Sequence, residues 1–173
     1  MNKITIQYSS TSFGELILGS FGNKLCLCDW RYRKMRSAID DRLQKQLQAG
    51  FIEGDSSVLT ETRQQLAQYF NGQRKQFTIP LLMVGTDFQK SVWNELLNVG
   101  YGRTSSYLEL AKRIGKSKAV RAVASANGAN AISIIVPCHR IIGSTGDLVG
   151  YAGGLRIKKK LLELENALLP AAV

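Results

Sequence analysis

Residues 131–136, Ala-Ile-Ser-Ile-Ile-Val, form an apolar run that stops at Pro137-Cys138-His139-Arg140, after which glycines punctuate the chain as far as Gly154. A short apolar run closed by a proline predicts a buried strand followed by a loop. A chain patterned this way must carry a thiol where a core strand ends. His139 is the only histidine of the 173 residues. A thiolate is a strong nucleophile, and a neighbouring imidazole can take its proton. Alone, the dipeptide reads more readily as an inert buried thiol. Adjacent residues of a strand also point to opposite faces, so Cys138 and His139 can cooperate only if the chain turns there or a water links them.

The N-terminal part reads as α+β. Residues 4–8 alternate apolar and polar side chains, as a half-buried strand does. Residues 15–21 and 24–30 flank Gly22-Asn23, a hairpin turn. Cys26 and Cys28 lie on one face of the second of these strands and are expected to pack in the core. Zinc would need more ligands than they supply. Residues 35–48 place Ile39, Leu43 and Leu47 at helical spacing, and residues 58–70 do the same with Val58, Leu59, Leu66, Tyr69 and Phe70. Gly72 stops the second helix. Residues 73–84 read as an inter-domain link. The expected organisation is two domains: residues 1–84, with a small antiparallel sheet, and residues 85–173, mostly helical.

The C-terminal part carries clearer punctuation. Thr86-Asp87-Phe88-Gln89 fits a capping box opening a helix to about Val99, with Phe88, Val92, Trp93, Leu96 and Leu97 on its apolar face. Ser106-Tyr107-Leu108-Glu109 is a second capping box, for a helix reaching Ile114. Gly115 ends it, and Ser117 is expected to cap a third helix from Lys118 to about Ala126. Helix, short turn, helix predicts a helix-turn-helix. Ala119, Ala122, Ala124, Ser125 and Ala126 make the third helix slim, with Lys118 and Arg121 projecting from its first turns. Such a helix can approach another backbone closely while its cations neutralise phosphates. An alanine-rich core helix would read the same way.

The net charge of +10 favours polyanionic partners, most often nucleic acid. Residues 85–166 hold twelve basic and six acidic side chains, against eleven and seven elsewhere. The excess is thus modestly greater in the part that holds the thiol. Three unevenly spread cysteines argue against a disulfide framework and for a reducing, cytoplasmic compartment. No apolar stretch is long enough to span a bilayer, and no signal-peptide pattern is present.

Gly85-Thr86-Asp87-Phe88-Gln89, Val92-Trp93, Tyr101-Gly102, Ser106-Tyr107, Lys118-Ala119-Val120-Arg121-Ala122-Val123, Asn130, Ile135-Val136-Pro137-Cys138-His139-Arg140, Gly150-Tyr151 and Gly153-Gly154-Leu155 follow one another in an order and spacing that strongly resembles the O6-alkylguanine-DNA alkyltransferases, also called methylated-DNA–protein-cysteine methyltransferases. The close resemblance covers residues 85–165. The N-terminal half resembles that family only in length and general character.

The resemblance implies repair of duplex DNA by transfer of an alkyl group from O6-alkylguanine to Cys138, once per molecule and without a cofactor. By the same resemblance the slim helix enters the minor groove. Ser117, Lys118, Arg121, Ala122, Ala126 and Asn130 then belong to the DNA-binding set, with Arg121 replacing the flipped base in the stack. Asn130 is implied as a hinge between that helix and the reactive segment. His139 and Glu165 are implied to activate the thiol through water, Tyr107 to protonate the departing guanine at N3, and Lys158 to favour the guanine anion. Val136, Pro137, Tyr151, Ala152 and Gly153 are implied to wall the base pocket. Ala152 departs from relatives with a hydroxyl residue there, which bears on alkyl preference. Some relatives bind zinc in the N-terminal domain. No histidine precedes His139 here, so no metal is expected. A monomer is expected, with cooperativity along DNA and activity on O4-alkylthymine left open.

Three other readings compete. A damage-binding protein of the same fold would lack the nucleophile. A helix-turn-helix regulator would need side chains suited to base edges and a sensing domain. A Cys-His hydrolase would turn over repeatedly and leave the basic helices unexplained.

Overall fold

The structure, a computed structural model, describes residues 2–168. The tail after Glu165, given no task by the sequence, lies mostly outside them. The chain forms two compact units. One comprises Met1–Thr86 with Ala131–Ile135, the other Asp87–Asn130 with Val136–Val173, so far as each is described.

In the first unit, β1 (Lys3–Thr11), β2 (Gly14–Phe21) and β3 (Lys24–Trp30) form the expected antiparallel meander. A fourth strand, β4 (Gly50–Glu53), joins β1 in parallel, giving the order β3-β2-β1-β4. The sheet is therefore mixed rather than purely antiparallel. Four residues between two helices carry too little alternation to announce β4, and only its partner strand makes it one. Helices α1 (Arg36–Leu47) and α2 (Ser57–Phe70) fall where the apolar spacing put them, and Ser56 caps α2 through the Leu59 N–H. Ile39 and Leu43 of α1 pack with Ile4, Ile6, Ile17, Cys26 and Leu27 of the sheet.

Two expectations fail for one reason. Residues 81–84 do not form a free link, and residues 131–136 do not form a strand. Both lie along the open edge of β3. Leu25 bridges Leu81, and Cys28 bridges Ile132. Leu25 N–H donates to Pro80 O and Cys28 N–H to Ala131 O, while Leu25 O and Cys28 O accept from Leu82 and Ser133. An uncovered strand edge leaves backbone donors and acceptors unpaired, so segments with no ladder of their own are recruited to it. Past Ser133 the run turns instead of continuing: Ile134 has φ 73°.

In the second unit, α3 (Asp87–Leu96), α4 (Tyr107–Arg113) and α5 (Val120–Gly128) pack on one another. Val92, Trp93, Leu96, Leu110, Ala111 and Val123 are buried among them, each large side chain worth roughly 1.5–3 kcal/mol of removed apolar surface. The Trp93 indole donates to Ala126 O. Ser106 caps α4 through the Glu109 N–H, as the sequence predicts. Ser117 does not cap α5: a turn intervenes and Ala119 occupies the cap without a side-chain bond. Short parallel strands β5 (Ser105–Ser106) and β6 (Ile141–Ile142) pair, and α6 (Leu155–Leu164) closes the unit. Among the described residues no helix is long and apolar enough to cross a membrane.

Cys26 and Cys28 are fully buried, and burial pushes the Cys26 thiol up to about 12 and Cys28 further still. Neither should be a thiolate near neutrality. With a chromogenic disulfide at pH 8, the native protein is expected to react at no more than one thiol, and all three should titrate after unfolding in guanidinium.

Candidate active site

Cys138 opens a single 3-10 turn, Cys138–Arg140, directly after Pro137. Its N–H donates to Val136 O at 2.8 Å. This tight turn is what lets neighbouring residues serve one site. Asn130, at the end of α5, donates its side-chain amide to Val136 O at 2.9 Å and so ties that helix to the residue two before the thiol.

The turn is held by a buried ionic cluster. His139 Nε2 lies 2.8 Å from Glu165 Oε1. Arg140 reaches the same carboxylate with two donors, Nε to Oε2 and Nη2 to Oε1, both 2.9 Å, and gives Nη1 to Val99 O at 2.7 Å. Burial alone would raise the Glu165 carboxyl. The hydrogen bonds and charges of His139 and Arg140 outweigh it and hold the group at about 2. An ionised carboxylate only accepts, so His139 carries its hydrogen on Nε2 and keeps its lone pair on Nδ1. Nδ1 is buried and has no hydrogen-bond partner among the described residues. Burial lowers the His139 pKa against the raising effect of Glu165, with Arg140 and Lys158 adding to the lowering, so a neutral, basic imidazole stands beside Cys138.

Helix α6 supplies Lys158, and Glu165 is its C-terminal cap residue. Seven residues are about two turns, which puts both on one face. The Lys158 ammonium donates to Ile141 O, to Val149 O at 2.9 Å and to Gly150 O at 3.1 Å. Burial brings it down to about 8, with the Cys138 charge opposing, so it remains charged at neutral pH. Its three hydrogens are matched by three carbonyls, which pins both ends of the loop 141–150. Gly150, at φ 60°, brings that loop past Tyr107, whose hydroxyl would lie 3.7 Å from a Cβ placed there.

Tyr107, the first residue of α4, donates to Val149 O at 3.2 Å. Burial and the nearby Cys138 raise its hydroxyl pKa, while the Asn127 side chain lowers it. The phenol is therefore protonated at neutral pH. His139 and Tyr151 meet edge-on with ring centroids 6.4 Å apart. Tyr151, Ala152 and Gly153 are half-buried, whereas Val136 and Pro137 are buried.

On α5, Arg121, Ala122, Ser125 and Gly128 share an exposed face, with Ser117 and Lys118 exposed just before it. Ala126, expected in the DNA-binding set, is buried, its carbonyl taken by Trp93. Asn130 is likewise buried and faces Val136 rather than solvent. Arg140 and Asn127 are part of the arrangement but were not singled out from sequence. Arg140 stands inside the motif, and its cationic side chain four residues after a buried run was the available signal. Asn127 had none.

Two family models cover nearly all of this chain: the 6-O-methylguanine DNA methyltransferase ribonuclease-like domain over residues 6–83, and the DNA binding domain of the same name over residues 87–167. A methylated-DNA–protein-cysteine methyltransferase of Methanosarcina mazei is 54% identical over 128 residues, 74% of this chain and 80% of that one. Its counterpart in Methanosarcina acetivorans is 55% identical over 107 residues, 62% and 69% of the two chains. The crystal structure of Mycobacterium tuberculosis OGT in complex with DNA superposes with a TM-score of 0.80 at 38% identity, covering 96% of both chains. This chain belongs to the 6-O-methylguanine DNA methyltransferase family, the methylated-DNA–protein-cysteine methyltransferases of DNA repair.

The cluster sets an acid limit on stability. Glu165 titrates near 2 when folded against an ordinary 4.5, so its contribution is complete above 4.5 and is lost as pH falls toward 2. His139, lowered from 6.5, also favours the unfolded state once pH drops below that value. Urea midpoints should hold steady from pH 7.5 to 6.5 and decline below. Glu165→Gln, which leaves Arg140 without its counter-charge, should cost about 3–5 kcal/mol at pH 7 and flatten the acid decline.

Proposed function

We propose that this chain performs direct-reversal repair, moving an alkyl group from O6-alkylguanine in duplex DNA irreversibly onto Cys138. The observation that carries the reading is the His139–Glu165 pair, whose tautomer leaves the basic Nδ1 one residue from the thiol. An unperturbed thiol, with a pKa of ~8.5, is mostly protonated at neutral pH. His139 takes the thiol proton through a water, and Glu165 stabilises the imidazolium that results. The arrangement parallels a nucleophile-histidine-acid triad in role.

The thiolate then attacks the alkyl carbon. The S–C bond forms, the C–O6 bond breaks, and the electron pair leaves with guanine. Tyr107 supplies a proton at N3, for which its raised pKa keeps the hydroxyl loaded. Lys158 acts by fixing the loop 141–150 around the base. Its hydrogens are already engaged by carbonyls. The thioether product has no route back to a thiol, so each molecule acts once, and a reducing, cytoplasmic setting keeps Cys138 competent beforehand.

DNA is the partner that the exposed small face of α5 suits, and a relative at 38% identity was solved in complex with DNA. Ala122, Ser125 and Gly128 let the helix sit close against a groove, and Lys118 meets phosphates. An enzyme acting on a base must take it out of the stack. Arg121, with its flat guanidinium, fills the place the base leaves. A monomer suffices for this chemistry.

Incubation with a duplex carrying one O6-methylguanine, followed by intact mass and peptide mapping, should give one added methyl on Cys138 and no more. Binding without mass gain would refute the reading. Cys138→Ser should bind DNA and transfer nothing. Tyr107→Phe should slow transfer by about 10²–10⁴ with the thiol intact. Arg121→Ala should lower the transfer rate more than the affinity for undamaged duplex. The rate should be flat above pH 6.5 and fall below it, since His139 must be neutral to accept the proton.

A further inference from the structure

Asn127, in the last turn of α5, buries an amide where packing alone calls for an apolar side chain. It is 6% exposed, and its side-chain Oδ1 is buried with no hydrogen-bond partner among the described residues. A buried acceptor left unpaired costs free energy, and an apolar residue of the same shape would avoid that cost. The other end of the amide is in use: the Asn127 side chain hydrogen-bonds the Tyr107 hydroxyl. The two residues stand on α5 and α4, which pack against each other within the second unit.

The direction of that bond follows from the hydroxyl's other contact. A phenol has one hydrogen, and Tyr107 gives it to Val149 O at 3.2 Å. A carbonyl cannot donate, so the phenol oxygen is left to accept and Asn127 presents its N–H. Oδ1 is then the unused end of the amide, as observed. The Tyr107 bond to Val149 is long for an O–H···O contact, whose usual length is about 2.7–2.8 Å. Val149 O also accepts from Lys158 at 2.9 Å, so the carbonyl keeps a partner when the hydroxyl hydrogen is turned elsewhere. The contact to Val149 can be given up, whereas the contact to Asn127 is fixed by burial.

We propose that Asn127 is a positioning residue for proton transfer from Tyr107: its N–H holds the phenol oxygen while the hydroxyl hydrogen leaves Val149 O for guanine N3. This rests on Tyr107 being the acid and Cys138 the alkyl acceptor. In the transfer the Tyr107 O–H bond breaks, the N3–H bond forms, and guanine leaves neutral while the phenol oxygen keeps the electron pair. The Asn127 N–H already points at the oxygen on which that negative charge develops, so nothing has to reorganise at the moment of reaction. Three residues on, Asn130 holds Val136 O. The end of α5 thus carries one buried amide for the acid and one for the segment bearing the nucleophile.

The test is a double-mutant cycle on single-turnover methyl transfer from saturating O6-methylguanine duplex, followed by mass, in the full chain. Asn127→Leu and Asn127→Ala are each placed in the wild-type chain and in Tyr107→Phe. The expected result is a rate constant about tenfold or more below wild type for both Asn127 variants, and within about twofold of the parent once the hydroxyl is gone. The rate constant reports folded molecules only, so a lowered folded fraction reduces the amplitude alone. Spectrophotometric titration, with Tyr107 isolated by difference against Tyr107→Phe, should show its phenol ionising at higher pH in Asn127→Ala than in the wild type. A wild-type rate constant in both Asn127 variants, or the same loss with and without the Tyr107 hydroxyl, overturns the role of Asn127 and leaves the acid and the acceptor standing. A wild-type rate constant in Tyr107→Phe overturns the acid, and no methyl on Cys138 of the wild-type chain overturns the functional reading. Either of these takes the role of Asn127 with it.

Discussion

The Glu165 carboxylate is the point on which the second unit turns. A carboxylate taken out of water costs several kcal/mol even after relaxation, and its partners repay that only with good geometry and full hydrogen bonding. Glu165 has both: two oxygens facing a bidentate guanidinium and an imidazole, all within 2.9 Å. The pair closes the end of α6 onto the turn at residues 138–140, and the chemistry follows from the same bonds. The carboxylate selects the histidine tautomer, and that tautomer leaves a basic nitrogen beside the thiol. Arg140 neutralises the carboxylate, and burial, with Arg140 adding to it, lowers the pKa of the histidine, so the imidazole waits uncharged. The arrangement that stabilises this end of the unit is the arrangement that sets a neutral imidazole next to Cys138.

Lys158 uses the same helix to another end. One buried ammonium gathers the carbonyls of Ile141, Val149 and Gly150, groups that a loop would otherwise offer to water. A buried lysine is expensive, and three carbonyls offset the expense while setting the course of the loop past Tyr107. The loop carries Gly143, Gly146 and Gly150, and its tip at Ser144, Thr145 and Asp147 is polar and exposed. Its shape is borrowed from α6.

In the first unit the open edge of β3 plays the organising part. It collects residues 80–82 and 131–133. Asp29 at the end of that strand binds two arginines and a serine 104 positions away. Cys26 and Cys28 occupy the same strand and are fully buried there, whereas Cys138 opens a 3-10 turn.

The sequence alone determined the meander around Gly22-Asn23, the helices whose apolar residues recur every three or four positions, the Ser106 cap, and the Pro-Cys-His-Arg motif with its likeness to a family. These depend on neighbours within a few residues, where periodicity and capping chemistry act. What it did not determine was settled at long range. Strand β4 exists because β1 lies beside it. Residues 131–133 lie along β3, with Ser133 bound to Asp29 and Cys28, and the run turns at Ile134 instead of continuing as a strand. Ala126 is buried because it shares with Val123 the packed face of α5, where Trp93 donates to its carbonyl. Arg140 and Asn127 joined the site through partners 25 and 20 residues away, Glu165 and Tyr107. No local pattern encodes such pairs. Buried polar groups must find partners wherever folding brings them, and only the folded chain decides which ones meet.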